Sequence, residues 1–321
     1  MIKVDNVVKY YGEHLALKGV SYTINKGEIV GFLGPNGAGK STMMRIITGY
    51  LPATSGYVYL DDYEVYDNPI ELKKRIGYMP ENVSLYTEMT VTDYLKFCAK
   101  LKGVARKKVK SAVENTIEIT GLTNYKDRII GHLSKGYRQR TGIAQAIIHD
   151  PEVLILDEPT SGLDPNQLIE VRSLIKSLGG SRTVILSTHI LSEVEDTCER
   201  ALIIDSGELI AEDTIEGLKM AMDREILGGN IELKVSDRQD DALLCVREVN
   251  GVIQAETDNF GTIIIECERG NDSRADIVKH LVNNSFDVLE IKSKERSLEE
   301  VFIYFTDKKK NQDFDKSKYI K

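Results

Sequence analysis

The chain has 321 residues, enough for two domains at about 150 residues each. Hydrophobic residues make up 41% and charged residues 29%, the balance of a folded globular chain rather than a disordered one. The formal net charge is -8, and acids outnumber bases on both sides of residue 220, so neither part carries the positive excess that nucleic acid favours. No apolar run approaches the ~20 residues that span a bilayer. Met1 to Tyr11 carries charges every few residues and lacks the apolar stretch of a secretory signal. Cys98, Cys198, Cys245 and Cys267 are scattered, without the paired spacing of zinc or redox sites, and read as small core residues of a reducing cytosol.

In chain order, Glu28–Leu33 predicts a strand, Gly34 to Gly39 a glycine loop, and Lys40–Thr48 a helix. From Thr90 to Asp150 the pattern turns helical. Leu95, Cys98 and Leu101 repeat at helical spacing, as do Val109, Val113 and Ile117, so this stretch predicts a helical insertion. Val153–Leu156 and Thr183–Leu186 are short, continuously apolar runs, as expected of strands buried on both faces. With a helix over Pro165–Leu178 between them, the alternation argues a parallel α/β sheet. After Gly229 the pattern changes. Ile231–Val235, Val252–Thr257, Thr262–Cys267 and Val288–Lys292 read as strands, and Asp240–Val249 and Arg274–Val282 as helices. The order β-α-β-β-α-β predicts a small ferredoxin-like α+β domain. A helix over Ser297–Phe305 opens on Ser297-Leu298-Glu299-Glu300, a capping box. The expected domains are therefore 1–220 (insertion about 90–150), 221–306, and a lysine-rich, disordered tail over 307–321.

Three segments carry chemistry. Gly34-Pro35-Asn36-Gly37-Ala38-Gly39-Lys40-Ser41-Thr42 fits the phosphate-loop pattern G-x-x-x-x-G-K-[ST]. Its glycines let backbone N–H groups turn in around phosphate oxygens, and the helix start adds its positive dipole end. Lys40 would reach the β- and γ-phosphates, and the Ser41 hydroxyl would bind Mg²⁺. Asp157 and Glu158 end a buried strand, where α/β sheets bind ligands. Asp157 suits a carboxylate that holds Mg²⁺ directly or through its water shell, and Glu158 could accept a proton from an attacking water. Ser134 and Gly136 open a further helix running to Ile148. Alone, that segment is an ordinary N-cap, His189 a polar residue at a strand end, and Tyr11 an aromatic of no assigned role.

Together these residues closely resemble the ATP-binding cassette (ABC) ATPase subunits of membrane transporters, over about residues 2 to 215. Tyr11 matches the adenine-stacking aromatic and residues 34 to 42 the Walker A loop. Glu81, within Gly77-Tyr78-Met79-Pro80-Glu81-Asn82, holds the Q-loop position. Ser134 and Gly136 match the signature, Asp157 and Glu158 Walker B, Ser161 to Asp164 the D-loop, and His189 the switch histidine. The resemblance implies a P-loop ABC ATPase fold and ATP with Mg²⁺, the metal held by Ser41, Asp157 and Glu81. It implies catalysis by Glu158, His189 and Glu81. Three positions depart from the pattern: Glu81 replaces glutamine, Lys135 the first signature glycine, and Tyr137 the signature glutamine. These, with the ending Ser297-Leu298-Glu299-Glu300-Val301-Phe302, are similar to exporters of the drug-resistance, lipid and gliding-motility type. The implied partners are a second ABC ATPase subunit, identical or related, and a separate transmembrane permease, with the chain cytoplasmic on the inner face of the membrane. The alternative is a soluble ABC ATPase with a non-transport or regulatory role.

Overall fold

A computed structural model describes residues 1–225, 230–267, 273–293, 297–310 and 319–320. The chain divides into two compact units, Met1–Ile215 with Phe305–Lys321, and Glu216–Tyr304.

The first unit begins with β1 (Ile2–Tyr11) and β2 (His14–Ile24), then β3 (Ile29–Leu33) and α1 (Lys40–Ile47). Next come β4 (Ser55–Leu60), β5 (Tyr63–Glu64), α2 (Pro69–Arg75) and β6 (Ile76–Met79). Three helices follow, α3 (Val91–Leu101), α4 (Val109–Ile119) and α5 (Lys135–Ile147). Then β7 (Val153–Asp157), α6 (Pro165–Leu178), β8 (Thr183–Thr188), α7 (Leu191–Thr197), β9 (Arg200–Asp205) and β10 (Glu208–Thr214) complete it.

The main sheet has the order β10-β9-β3-β8-β7-β6. Strands β9, β3, β8, β7 and β6 run parallel, and β10 adds an antiparallel edge. Every residue of β3, β7 and β8 is buried, which is why these strands read as unbroken apolar runs. A second sheet, β2-β1-β4-β5, is wholly antiparallel and was not foreseen. Its inner face and α1 share a core that includes Ile2, Val4, Leu17, Phe32, Met43 and Met44. The helical insertion carries its own core, with Leu95, Val113, Ile117 and Ile130 among its members. Thr90 caps α3, accepting a hydrogen bond from the Asp93 N–H at 3.1 Å.

The second unit holds most of α8 (Ile215–Glu225), then β11 (Asn230–Val235), α9 (Gln239–Arg247), β12 (Val252–Thr257) and β13 (Ile263–Cys267). It continues with α10 (Arg274–Asn283), β14 (Val288–Ser293) and the start of α11 (Leu298–Lys310). All strand pairs are antiparallel in the order β12-β13-β11-β14. Ile231, Leu233, Ile263, Ile265, Ile277 and Leu281 fill the core under the two helices. The capping box is made: Ser297 Oγ accepts from the Glu300 N–H at 3.2 Å, and the Glu300 carboxylate accepts from the Ser297 N–H at 3.0 Å.

Two expectations are corrected. The boundary near residue 220 falls inside α8, and Phe305 onward packs with the first unit. The tail over 307–321 is not uniformly disordered, because its first lysines find partners. Asp307 to Lys310 complete α11, Lys308 Nζ donates to the Tyr319 hydroxyl at 2.9 Å, and Lys309 Nζ to the Asp205 carbonyl at 2.7 Å. Tyr319 meets Phe305 edge-on at 5.0 Å, and its carbonyl accepts the Glu212 N–H of edge strand β10 at 2.7 Å. Residues 311–318 and 321 of that expected tail lie outside the described residues.

Candidate active site

The loop from β3 to α1 turns only because of where its glycines stand. Gly39 has φ +107 at the N-cap of α1, and a Cβ there would lie 2.8 Å from Leu17 Cδ2 and 2.9 Å from the Ala16 carbonyl. Gly34 packs against the Ile204 carbonyl too closely to admit any side chain. The loop is thereby pressed onto β2 and β9, and its tip opens into a cleft of about 570 Å³.

Lys40 rises from the first turn of α1, only 6% exposed. Its Nζ donates to the Gly34 carbonyl at 2.8 Å and the Pro35 carbonyl at 3.3 Å, and lies 3.7 Å from Glu158 Oε1. Burial lowers its pKa, opposed by the charges of Glu158, Asp157 and Glu81. The ammonium is anchored on loop carbonyls at the cleft floor, where it can turn from them to phosphate oxygens.

Asp157 ends β7, buried, and accepts from Ser187 Oγ at 2.7 Å. Burial raises its pKa, while hydrogen bonds from Ser187 and Ser41 work against the rise. Glu158 follows with φ 50, a left-handed conformation rare for this residue, held by its N–H donating to the Ser187 carbonyl at 2.8 Å. That twist turns its carboxylate away from Asp157 and into the cleft. His189 Nδ1 lies 2.9 Å from both Glu158 oxygens, the placement in which an Nδ1–H donates to an ionised carboxylate.

Of the residues singled out from the sequence, Tyr11, Asn36, Gly37, Gly39, Lys40, Ser41, Thr42, Glu81, Glu158 and His189 all line this cleft. Gly34, Pro35 and Ala38 form the body of the loop, and Asp157 sits behind Glu158 at the end of β7, bonded to Ser187. Ser134 and Gly136 are not among the lining residues. They open α5, where Ser134 Oγ accepts from the Tyr137 N–H at 3.5 Å and Gly136 leaves room for the Gln167 side chain. Lys135 lays its ammonium against Gly162, and the Tyr137 ring stacks on Tyr125 at 3.8 Å, turned into the helical insertion. Ser41 and Glu81 in the cleft, with Asp157 behind it, offer only oxygens, the donor set a hard divalent cation takes. Among the described residues no three acidic, histidine or cysteine side chains cluster as a closed metal cage.

Sequence reasoning missed His14 and Ala16, which close the cleft beside Tyr11. It also missed Glu193, fully buried in the first turn of α7. Its carboxylate accepts from the hydroxyls of Thr160 and Thr188, the latter at 2.9 Å. Thr160 precedes Ser161 and Thr188 precedes His189, so one buried acid ties together the two segments flanking Glu158. The only signal was its place four residues after His189.

Comparisons with known proteins point to one family. The family model for the ABC transporter matches residues 17–161. The bacitracin transport ATP-binding protein BcrA of Bacillus licheniformis is 35% identical over 94% of this chain and 96% of its own length. The linearmycin resistance ATP-binding protein LnrL of Bacillus subtilis is 33% identical over 95% of this chain and 98% of its own. A dimeric post-hydrolysis structure of the ATP-binding cassette MJ0796, bound to ADP and Pi, matches with a TM-score of 0.61. It is 27% identical and covers 67% of this chain and 99% of that one. With its phosphate loop, its buried acid pair and these relatives, the chain belongs to the ABC transporter family, as an ATP-binding and ATP-hydrolysing subunit.

Proposed function

We propose that this subunit powers an exporter through a separate membrane permease, and that it works as a two-fold pair of cassettes. The observation that carries the pairing is the separation within one chain. Lys40, Glu158 and His189 line the cleft, whereas Ser134 and Gly136 do not. A second chain, arranged head to tail, would bring its own Ser134 and Gly136 over the nucleotide. No helix among the described residues is long and apolar enough to cross a membrane, so a separate permease would supply the pathway, with this chain on the cytoplasmic face. Export is supported by relatives named for bacitracin transport and linearmycin resistance.

In this reading Tyr11, 43% exposed at the cleft mouth, stacks on the adenine. The loop from Gly34 to Thr42 wraps the phosphates with its N–H groups, and Lys40 turns to the β- and γ-phosphates. Ser41, Asp157 and Glu81 would hold Mg²⁺, which neutralises charge on the phosphate oxygens when bound. Glu158 takes a proton from the attacking water, and His189 keeps its carboxylate aimed into the cleft. Closure on ATP and opening after hydrolysis would drive the permease.

Glu158→Gln keeps the size of the side chain and removes the base. Turnover should fall by about 10²- to 10⁴-fold while Mg²⁺-ATP still binds. Size-exclusion chromatography should then find an ATP-dependent dimer, and the mutant allele should lower resistance to bacitracin or linearmycin. Phosphate release near the wild-type rate would remove Glu158 as the base. Unchanged resistance to both would count against these export substrates.

A further inference from the structure

The phosphate loop is braced from behind by the turn between β9 and β10. Ser206 and Gly207 occupy that turn with φ 51 and φ 80, two successive left-handed residues as a two-residue hairpin requires. Gly207 donates its N–H to the Ala38 carbonyl of the phosphate loop at 3.0 Å and accepts the Lys18 N–H at 2.9 Å. A Cβ at Gly207 would lie 2.5 Å from the Ala16 carbonyl, so the tip is wedged between β2 and the loop.

The other side of the same turn is gripped by α11. Lys309 Nζ donates to the Asp205 carbonyl at 2.7 Å, lies 3.3 Å from Asp205 Oδ2 and 3.9 Å from Glu208, and is 19% exposed. Beyond it, Phe305 is fully buried and Tyr319 bonds to β10 through Glu212. Three contiguous steps therefore join the end of the chain to the nucleotide loop: Lys309 to the turn, Gly207 to Ala38, and Ala38 to the loop's N–H groups.

We propose that Lys309 is a positioning residue for ATP. By pinning the left-handed turn it holds Ala38, and with it the loop, in the conformation that receives phosphates. Losing the ammonium removes one side of that brace, and completing the order of the loop must then draw on nucleotide binding. The effect falls on ATP affinity rather than on the chemical step, because Lys309 touches neither Glu158 nor His189. This rests on residues 34–42 being the phosphate site, as the proposed function holds.

The test uses the full-length chain, with ATP affinity measured by calorimetry and turnover by phosphate release. Lys309→Met should raise the ATP Kd and KM by about 3- to 10-fold with kcat within about twofold of wild type. Lys309→Arg, which can still reach the Asp205 carbonyl, should restore both. A Lys309→Met chain with wild-type Kd, or one whose defect lies in kcat alone, would overturn the proposal. So would a Kd defect that Lys309→Arg leaves uncorrected, since the cause would then be helix packing rather than the cation. Lys40→Met in the same titration separates the two readings. If Lys40→Met binds normally, the phosphate-loop assignment falls; if it loses ATP while Lys309→Met does not, only the role of Lys309 falls.

Discussion

Lys40→Met replaces a buried ammonium with a neutral side chain of similar length. In the nucleotide-free chain the exchange should cost little. Burial already holds the Lys40 pKa below its ordinary value, despite Glu158 at 3.7 Å and the nearby Asp157, so the charged form gains no net stability from this site. Binding is another matter. A hydrogen bond to a charged group contributes about 1.5–3 kcal/mol, and Lys40 is the cation at the cleft floor. Taking about 2.7 kcal/mol, ATP affinity should fall about 100-fold. At an ATP concentration 100 times the wild-type Kd, the ligand stabilises wild type by about 2.7 kcal/mol and the variant by only about 0.4 kcal/mol. Thermal unfolding should read this as an ATP-induced rise of about 5–10 °C in wild type and about 1 °C in the variant. The nucleotide-free midpoints should agree within about 2 °C. An ATP-induced rise of wild-type size in Lys40→Met would refute the assignment of the loop.

Glu193 and His149 offer tests by pH. Burial raises the Glu193 pKa above 4.5, against the hydrogen bonds of Thr160 and Thr188. The folded chain thus takes up that proton before the unfolded one, and an ionised Glu193 costs stability at neutral pH that is recovered as pH falls. Glu193→Gln should be at least as stable as wild type at pH 8, with the gap closing toward acid; urea melts showing the gap widen would sink this. Glu193→Leu, which leaves the Thr160 and Thr188 hydroxyls without their acceptor, should cost about 2 kcal/mol. His149 behaves in the opposite sense. Burial, with Lys102 nearby, lowers its pKa from 6.5 to about 4, so the unfolded chain binds the proton first as pH drops. Stability should be lost between pH 6.5 and about 4, reaching about 3 kcal/mol, and His149→Gln should flatten that limb. An acid limb unchanged in His149→Gln would assign the loss to other groups.

What could be read from the sequence is what is local. The strand, glycine loop and helix around Lys40 span some twenty residues, and their glycines are required by positive φ and by close approach. Asp157 and Glu158 stood out because β7 is apolar throughout, so the first acids mark its end. The ferredoxin-like order of the second unit followed from clean alternation along β11 and β13. The antiparallel sheet did not follow, because β1 pairs with β4 across some fifty residues and its register slips at Asp5/Val8, breaking the two-residue pattern. Strand β6, four residues long, is too short for periodicity to detect. Glu193 meets Thr160 across 33 residues, and Lys309 meets Asp205 across 104. Such contacts depend on where the fold brings the chain back, and a lysine-rich ending gives no local sign of them.

The proposed pairing holds each ATP between the phosphate loop of one chain and the Ser134 segment of another. Mixing two inactive variants tests it most directly. Lys40→Met removes the loop's cation, and Ser134→Arg places bulk and charge at the exposed start of α5. Random pairing of equal amounts makes half of the dimers mixed, and each mixed dimer holds one site with neither lesion. ATPase activity of the mixture should therefore recover to about a quarter of wild type, with both parents near zero. A mixture no more active than its parents would contradict the account, because a site completed within one chain cannot be restored by another.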